Sequence, residues 1–224
     1  MSAPWANLDG VRVVSARVTI PWFGAWAADV VLADASSIGE MPTLTIGTLV
    51  LEGARARASS FSGARSARLV GGRGGWRKDV GARAYRFAGG VRLATVLGDA
   101  AAEVGEAVDL DAALASATVG DAYVREAGPA SRVLRQLAGP AWWTDPATGR
   151  TKVGSRVPTP ITSDFSVEGY KGAEGRVVVA TEALADWTPA RTFTSPTLGV
   201  TLTVGGASLV VEGDGRARVE VTTS

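Results

Sequence analysis

The sequence predicts a mainly β protein built from two small β-barrel-like modules with a short α-helical insertion between them. Near the N-terminus, segments 11–20 and 43–52 are rich in β-branched residues and show the partial alternation that is typical of half-buried strands. Further strand segments close the chain, at 176–181, 198–204, 207–212 and 216–222. The expected organisation is an N-terminal β module at 1–90, a helix-containing middle segment at 91–140 and a C-terminal β module at 141–224.

In the first module, Gly47 separates two apolar pairs and predicts a tight turn or a bulge. Alanine and arginine then alternate strictly over 54–58, which predicts a strand whose arginines face outward and whose alanines face inward. The glycine-rich segment 71–75 ends this regular structure. It lacks the strand and helix context of a dinucleotide-binding loop, so we expect a flexible or tightly turned loop.

Two helices are predicted in the middle of the chain. In 91–104 the apolar residues recur at helical spacing, and Gly105 can end the helix. In 129–138 a proline occupies the first turn, and Gly139 with Pro140 stops the helix. The acidic segment 105–128 between them is expected to be loop-like, and 141–153 is expected to form a β-hairpin.

Two segments echo each other in sequence, since 44–57 and 202–218 share the order Leu-Thr-(Ile/Val)-Gly, Leu-Val-(Leu/Val)-Glu-Gly and Arg-Ala-Arg. Duplication of a β module would explain the echo, and so would convergence of hairpins in an Ala/Gly/Arg-rich chain. Gly205-Gly206 and Asp214-Gly215 are predicted hairpin turns.

The absence of histidine and cysteine excludes a Ser-His-Asp triad, thiolate chemistry and cysteine-based zinc sites. Asp109 and Asp111 could in principle bind a divalent cation, but the spacing lacks the pattern of a calcium loop, and a solvated acidic loop is favoured. We expect no enzyme activity and no cofactor. No apolar run reaches the roughly 18 residues of a membrane span, and no secretory signal is visible, so we expect synthesis in a cytoplasm without membrane insertion.

Charge is sorted into blocks along the chain, although the net charge is only +1. Residues 53–92 contain ten basic residues and one acid, and residues 93–128 contain seven acids and one base. Such blocks can pair within a fold or across a subunit interface, whereas solvated faces would contribute only about 0–1 kcal/mol per exposed pair. The interface candidates are Arg55, Arg57, Arg73, Arg77, Lys78, Arg83, Asp99, Glu103, Asp109 and Asp111, together with the exposed member of the pair Trp142 and Trp143.

Four segments carry a resemblance to a known family: 18–32 (VTIPWFGAWAADVVL), 67–86, 91–106 and 128–154. In order, they form a β module, a short helix with "L..VL.D.A...GE", a second helix and a "W…DP.TG.T.VG" hairpin. This order resembles that of tail-hub or baseplate-hub proteins of tailed bacteriophages and of the hub domains of contractile injection machines. The resemblance implies a ring, typically a trimer, with two similar β-barrel modules in each chain. It also implies tail tube and spike proteins as partners and a place in the virion. Non-specific contact with passing DNA is an expectation from the Arg-rich block 53–92.

The function expected from the sequence is therefore that of a structural component of a phage tail tip or baseplate, acting through its interfaces. Two alternatives stay open. One is a carbohydrate-binding β-sandwich of a fibre, and the other is a polysaccharide-cleaving enzyme that uses carboxylates alone.

Overall fold

The computed structural model describes residues 5–61, 63–195, 199–212 and 216–223. The fold class is confirmed, because the chain is mainly β, with 50% strand and 17% helix, and contains a closed barrel of six strands. The division at residues 90 and 140 stays a prediction. A second group of buried apolar residues, separate from the main core, runs from Trp76 to Val153.

The first module is the closed barrel, in the order β1-β4-β5-β6-β3-β2, with β1 paired again to β2. Its strands are β1 (Ala6–Leu8), β2 (Val11–Ile20), β3 (Ala27–Leu32), β4 (Thr43–Ile46), β5 (Leu49–Phe61) and β6 (Ala64–Gly71). Along β2 the residues Ala16, Val18 and Ile20 are buried while Arg17 is exposed, as the alternation predicts. Val13 is also buried, but a shift of register between Val13 and Ser15 separates it from that pattern. Gly47 has φ of 53° in the turn between β4 and β5, which confirms the tight turn.

The predicted alternation at 54–58 is wrong, because β5 carries a bulge. Arg55 lies opposite Leu69 and Arg57 lies opposite Arg68, so that Ala56 is the extra residue. Arg55 is consequently half-buried and donates a hydrogen bond to the carbonyl of Ile38, whereas Arg57 and Ala56 are exposed.

The middle of the chain packs short strands against two helices around the second core. Both predicted helices are present, and Gly105, with φ of 76°, ends the first of them. The segment 105–128 contains short elements, so the expectation of a loop was wrong there. The elements are β7 (Asp79–Val80), β8 (Arg83–Arg86), α1 (Leu93–Val104), β9 (Val108–Leu110), α2 (Ala112–Ser116), β10 (Ala122–Arg125), β11 (Gly128–Pro129), α3 (Ala130–Ala138), β12 (Trp142–Thr144) and β13 (Thr151–Val153), with a 3₁₀ turn at Gly75–Arg77.

The C-terminal module has the strand order β14-β17-β18-β19-β16-β15. Its strands are β14 (Thr159–Pro160), β15 (Ser166–Lys171), β16 (Arg176–Ala180), β17 (Arg191–Ser195), β18 (Val200–Glu212) and β19 (Arg216–Thr223). The predicted turn at Gly205-Gly206 is wrong, since β18 runs through it with a shift of register between Val204 and Gly206. The predicted turn at Asp214-Gly215 lies outside the described residues.

The two modules share one sheet, because β2 pairs with β18. The register sets Val18 opposite Leu209, and both side chains lie in a single core that extends through both modules. The echo between 44–57 and 202–218 does not mark equivalent elements, since Gly47 makes a turn and Gly205-Gly206 lies within a strand.

The barrel meets the middle of the chain at a close contact around Trp26. This indole is fully buried, and Thr144 of β12 accepts a hydrogen bond from the backbone nitrogen of Trp26 at 3.3 Å. A methyl group on Gly71 would lie 2.2 Å from Oγ1 of Thr144 and 2.6 Å from the indole, so a larger residue cannot be accommodated without movement.

We therefore expect Gly71→Ala to lower the free energy of unfolding by about 1–3 kcal/mol, because the methyl group overpacks this contact. The control is Gly98→Ala in α1, where a methyl group would have no other atom within 4 Å. That change should stabilise the protein by about 0.5–1 kcal/mol through helix propensity. Denaturant unfolding measures both, and a Gly71→Ala protein with undiminished stability would contradict the packing.

Candidate assembly interface

The glycine-rich loop at 71–75 is a tightly turned loop that encloses a buried carboxylate. Glu106 is 7% exposed and accepts hydrogen bonds from the backbone nitrogens of Arg73, at 3.1 and 3.2 Å, and of Gly75, at 2.6 Å. A methyl group on Gly75 would lie 2.3 Å from the carbonyl oxygen of Val104, so only glycine fits. The loop thus holds an anion of its own chain rather than an external phosphate.

Three interface candidates project from this anchored loop and the turn that follows it. Arg73, Arg77 and Lys78 are all exposed. Within the ranges that the structure describes, no ion pair involves any of the three. They form a group of cations on a rigid base, because Glu106 fixes the backbone on one side and the buried Trp76 fixes it on the other.

A second buried ion joins β10 to α1. Arg125 is 2% exposed, and its Nε and Nη2 donate to the carbonyl of Gly81 at 3.1 and 2.9 Å. Nη2 also pairs with Glu103, which accepts a further hydrogen bond from the backbone nitrogen of Gly81 at 2.6 Å. The hydrogen bonds from Gly81 and then from Arg125 hold the pKa of Glu103 below its ordinary value.

Sequence reasoning missed this role of Arg125. The available signal was its position as the lone base within the acidic block 93–128. Burying an arginine costs free energy that its hydrogen bonds offset, and here Nε and Nη2 make them while Nη1 has no partner among the described residues. Through these bonds Arg125 holds the end of β10 against Gly81 and α1.

The remaining acidic candidates also have partners within the chain. Asp99 pairs with Arg83 at 3.0 Å, so these two candidates satisfy each other. Asp111 caps α2 by accepting from the backbone nitrogen of Leu114 at 2.9 Å, and it accepts from Ser155 at 3.1 Å. These hydrogen bonds, the one from Leu114 first, lower the pKa of Asp111.

Asp109 is the most strongly engaged of these carboxylates. It accepts from Nε of Arg150 at 2.9 Å and from Nζ of Lys152 at 2.6 Å. The hydrogen bond from Arg150, followed by that from Lys152, holds the pKa of Asp109 well below its usual range. Among the described residues there is no group of three or more potential metal ligands.

Trp142 and Trp143 are both half-buried. Trp142 packs against the second core, and the ring of Trp143 lies 4.3 Å from the guanidinium carbon of Arg156. Arg156 also donates to the carbonyl oxygens of Trp22, at 2.7 Å, and Pro189, at 3.3 Å, and its burial lowers its pKa to about 10. The pair thus lies where the barrel, the middle of the chain and the C-terminal module meet, and its part in assembly stays a prediction.

Comparison with solved structures places this arrangement among known folds. The tail protein of Neisseria meningitidis MC58 aligns over 97% of this chain and 94% of its own, with a TM-score of 0.60 and 14% sequence identity. The chain has the fold of phage tail proteins. The 43 kDa tail protein of prophage MuSo2 from Shewanella oneidensis aligns over 98% of this chain and 96% of its own, with a TM-score of 0.58 and 9% identity.

A third structure with the tail-protein fold belongs to a component of the type VI secretion system of E. coli, described as structurally similar to the bacteriophage T4 tail proteins gp27 and gp5. It aligns over 97% of this chain and 76% of its own, with a TM-score of 0.60 and 12% identity. The resemblance stated from the sequence is confirmed in the fold. No protein-family model matches the sequence, and no curated protein is significantly similar to it.

In the described parts of this tail-protein fold, no helix is long and apolar enough to cross a membrane.

The engagement of Asp109 makes stability depend on pH. The pKa of Asp109 is lower in the folded protein than in the unfolded chain, where it is about 4. The ionised Asp109 therefore stabilises the fold at pH values above about 4, and this stabilisation is lost as the pH falls further. We expect Asp109→Asn to lower the midpoint of thermal unfolding at about pH 7, with the difference shrinking towards about pH 2. Asp29→Asn, which breaks an exposed pair with Arg68, is the control and should change stability little. An Asp109→Asn difference that is equally large at both ends of the pH range would contradict this assignment.

Proposed function

We propose that this chain is a structural component of a phage tail tip or baseplate, a hub ring that joins the tail tube to the tip and surrounds the DNA ejection channel. The observation that carries the proposal is one sheet that runs through both β modules of a chain with the tail-protein fold. The work of such a protein is done by its interfaces rather than by a reacting centre, so no cofactor enters the proposal.

The edges of that sheet support a ring. The strands follow the order β5-β6-β3-β2-β18-β19-β16-β15. In the described residues β15 pairs only with β16, and 57–61 of β5 pairs only with β6. An unpaired edge is a template for pairing with another chain. Two different edges that meet head to tail generate a closed ring when the rotation closes, and the family resemblance favours three copies.

The exposed cations at the glycine-rich loop support a second contact between copies, away from the sheet edges. Asp99, Glu103, Asp109 and Asp111 have partners within the chain, whereas the exposed cations of Arg73, Arg77 and Lys78 have no ion pair among the described residues. We assign these cations to carboxylates of a neighbouring subunit or of an adjoining tail protein.

The face of the sheet opposite the core is our candidate for the channel wall. Cross-strand neighbours form one row on this face, Arg57, Arg68, Asp29, Arg17, Val210 and Arg218. A groove of about 970 Å³ around Arg17 and Arg218 is also lined by Asp164, Glu168, Glu182 and Glu212. Carboxylates outnumber arginines in the groove, so we expect any contact with passing DNA on this face to be loose and salt-sensitive and to involve the arginines of the row rather than the groove.

The mass of the purified protein in solution, measured over a salt series by analytical ultracentrifugation, tests the ring. We expect an oligomer at low salt, a trimer in the simplest case, that dissociates as the ionic strength rises, because surface charges are screened. A monomer at every concentration and salt would contradict self-assembly and would favour the carbohydrate-binding alternative, which predicts glycan binding by a monomer.

Charge reversal tests the proposed contact. The triple variant Arg73→Glu, Arg77→Glu and Lys78→Glu should weaken assembly by at least about tenfold, while the midpoint of thermal unfolding of the monomer changes little, because all three side chains are exposed. The control is the double variant Arg132→Glu and Arg135→Glu on the exposed side of α3. Equal loss of assembly and folding stability in the triple variant would rule out the interface assignment.

A further inference from the structure

A groove runs along one edge of β8, between this strand and the first turn of α1. Its volume is about 480 Å³, and its walls include the whole of β8 together with Phe87, Arg92 and Thr95. That volume lies within the range of cavities that hold ligands. The groove is separate from the sheet of the two modules and from the cations that the proposed ring uses.

The backbone of β8 offers unpaired groups to this groove. Within the part of the chain that is described, β8 pairs only with β10, with Tyr85 opposite Tyr123. The backbone nitrogen of Phe87 donates to the carbonyl of Asp121 at 3.0 Å, so Phe87, Tyr85 and Arg83 direct their backbone groups to β10. Since bonded and non-bonded pairs alternate in an antiparallel ribbon, Ala84 and Arg86 direct their N–H and C=O groups away from β10. No residue of β10 lines the groove, so we infer that the groove lies along this opposite edge of β8.

The side chains around the groove are cationic and partly apolar. Arg83, Arg86 and Arg92 line it, and none of the lining residues is acidic. Arg83 is paired with Asp99, whereas Arg86 and Arg92 are exposed and have no ion pair with any described residue. Phe87, which is 66% exposed, and the half-buried Tyr85 add aromatic surface.

We propose that this groove binds an extended acidic segment of a partner protein, which adds a strand to the free edge of β8. Main-chain hydrogen bonds to Ala84 and Arg86 supply affinity in this mode of recognition, and flanking side chains supply selectivity. Arg86 and Arg92 select carboxylates over basic or neutral side chains. The four residues of β8 span about 13 Å, enough for a segment of four or five residues.

The test uses the full chain and a fluorescent peptide, acetyl-Glu-Val-Glu-Val-Glu-Val-amide, with binding followed by fluorescence anisotropy. We expect binding that weakens with salt and that falls at least about tenfold in the double variant Arg86→Glu and Arg92→Glu. Arg135→Glu, an exposed arginine on α3 outside the groove, should leave it unchanged. The same peptide with lysine in place of glutamate should not bind.

The role of the strand edge is tested separately from charge. Ala84→Pro removes the N–H that faces the groove and should abolish binding, whereas Val124→Pro, opposite Ala84 on β10, removes an N–H that faces the far edge of the same ribbon and should not. The same acidic peptide with every backbone nitrogen methylated keeps the charge but has no backbone N–H to donate in either register, and it should bind far more weakly even if Ala84→Pro fails to fold. Equal binding of the two acidic peptides would overturn strand addition.

The occupant is tested by the same variants. The absence of binding by any acidic peptide would overturn the inference, whether or not the protein forms a ring. If Arg86→Glu with Arg92→Glu instead lowers the mass of the protein alone in solution, the occupant is a second copy of this chain and the assignment to a different partner is wrong.

Discussion

The pairing of β2 with β18 is the contact on which the rest of the structure depends. Five residue pairs, from Ala16 opposite Val211 to Ile20 opposite Ala207, join strands from opposite ends of the chain. Because paired residues share a face, the inward side chains of both strands enter one core, and the outward ones continue one surface. This pairing sets the two modules side by side. It therefore determines which two sheet edges and which mixed-charge face the chain presents to other copies in any ring.

The helical middle of the chain depends on polar anchors as much as on its apolar core. Glu106 is held by the backbone of the glycine-rich loop, and Arg125 is held by the carbonyl of Gly81 and by Glu103. Removing an ion from water is costly unless it gains hydrogen bonds in the fold. Glu106 gains them from backbone nitrogens, and Arg125 gains them through Nε and Nη2, whereas its Nη1 is buried without a partner among the described residues. The two anchors engage Glu103 and Glu106 within the fold, whereas the side chains of Arg73, Arg77 and Lys78 are exposed.

Prediction from the sequence succeeded where structure is decided locally. The helix α3 begins one residue after Pro129 and ends at Ala138, as the proline and the following glycine indicate, and β2 occupies the predicted segment from Val11 to Ile20. It failed where a distant residue intervenes. Arg55 is half-buried instead of facing outward, because its guanidinium donates a hydrogen bond to the carbonyl of Ile38 and because β5 forms a bulge. Gly205-Gly206 is read as a turn in the sequence, yet neighbouring strands pair along β18 on both sides of it.

By itself the sequence determined the mainly β class, the two longer helices, the hairpin at 141–153 and the separation of basic and acidic blocks along the chain. These features follow from the period of apolar residues and from the backbone preferences of glycine and proline, which act over a few residues. Only the tertiary structure decided that β2 pairs with β18, that Asp109 pairs with Arg150 and Lys152, and that β8 pairs with β10 alone among the described strands. A side chain's charge and a strand's period do not specify a partner, and these pairings form between residues brought together only when the whole chain folds.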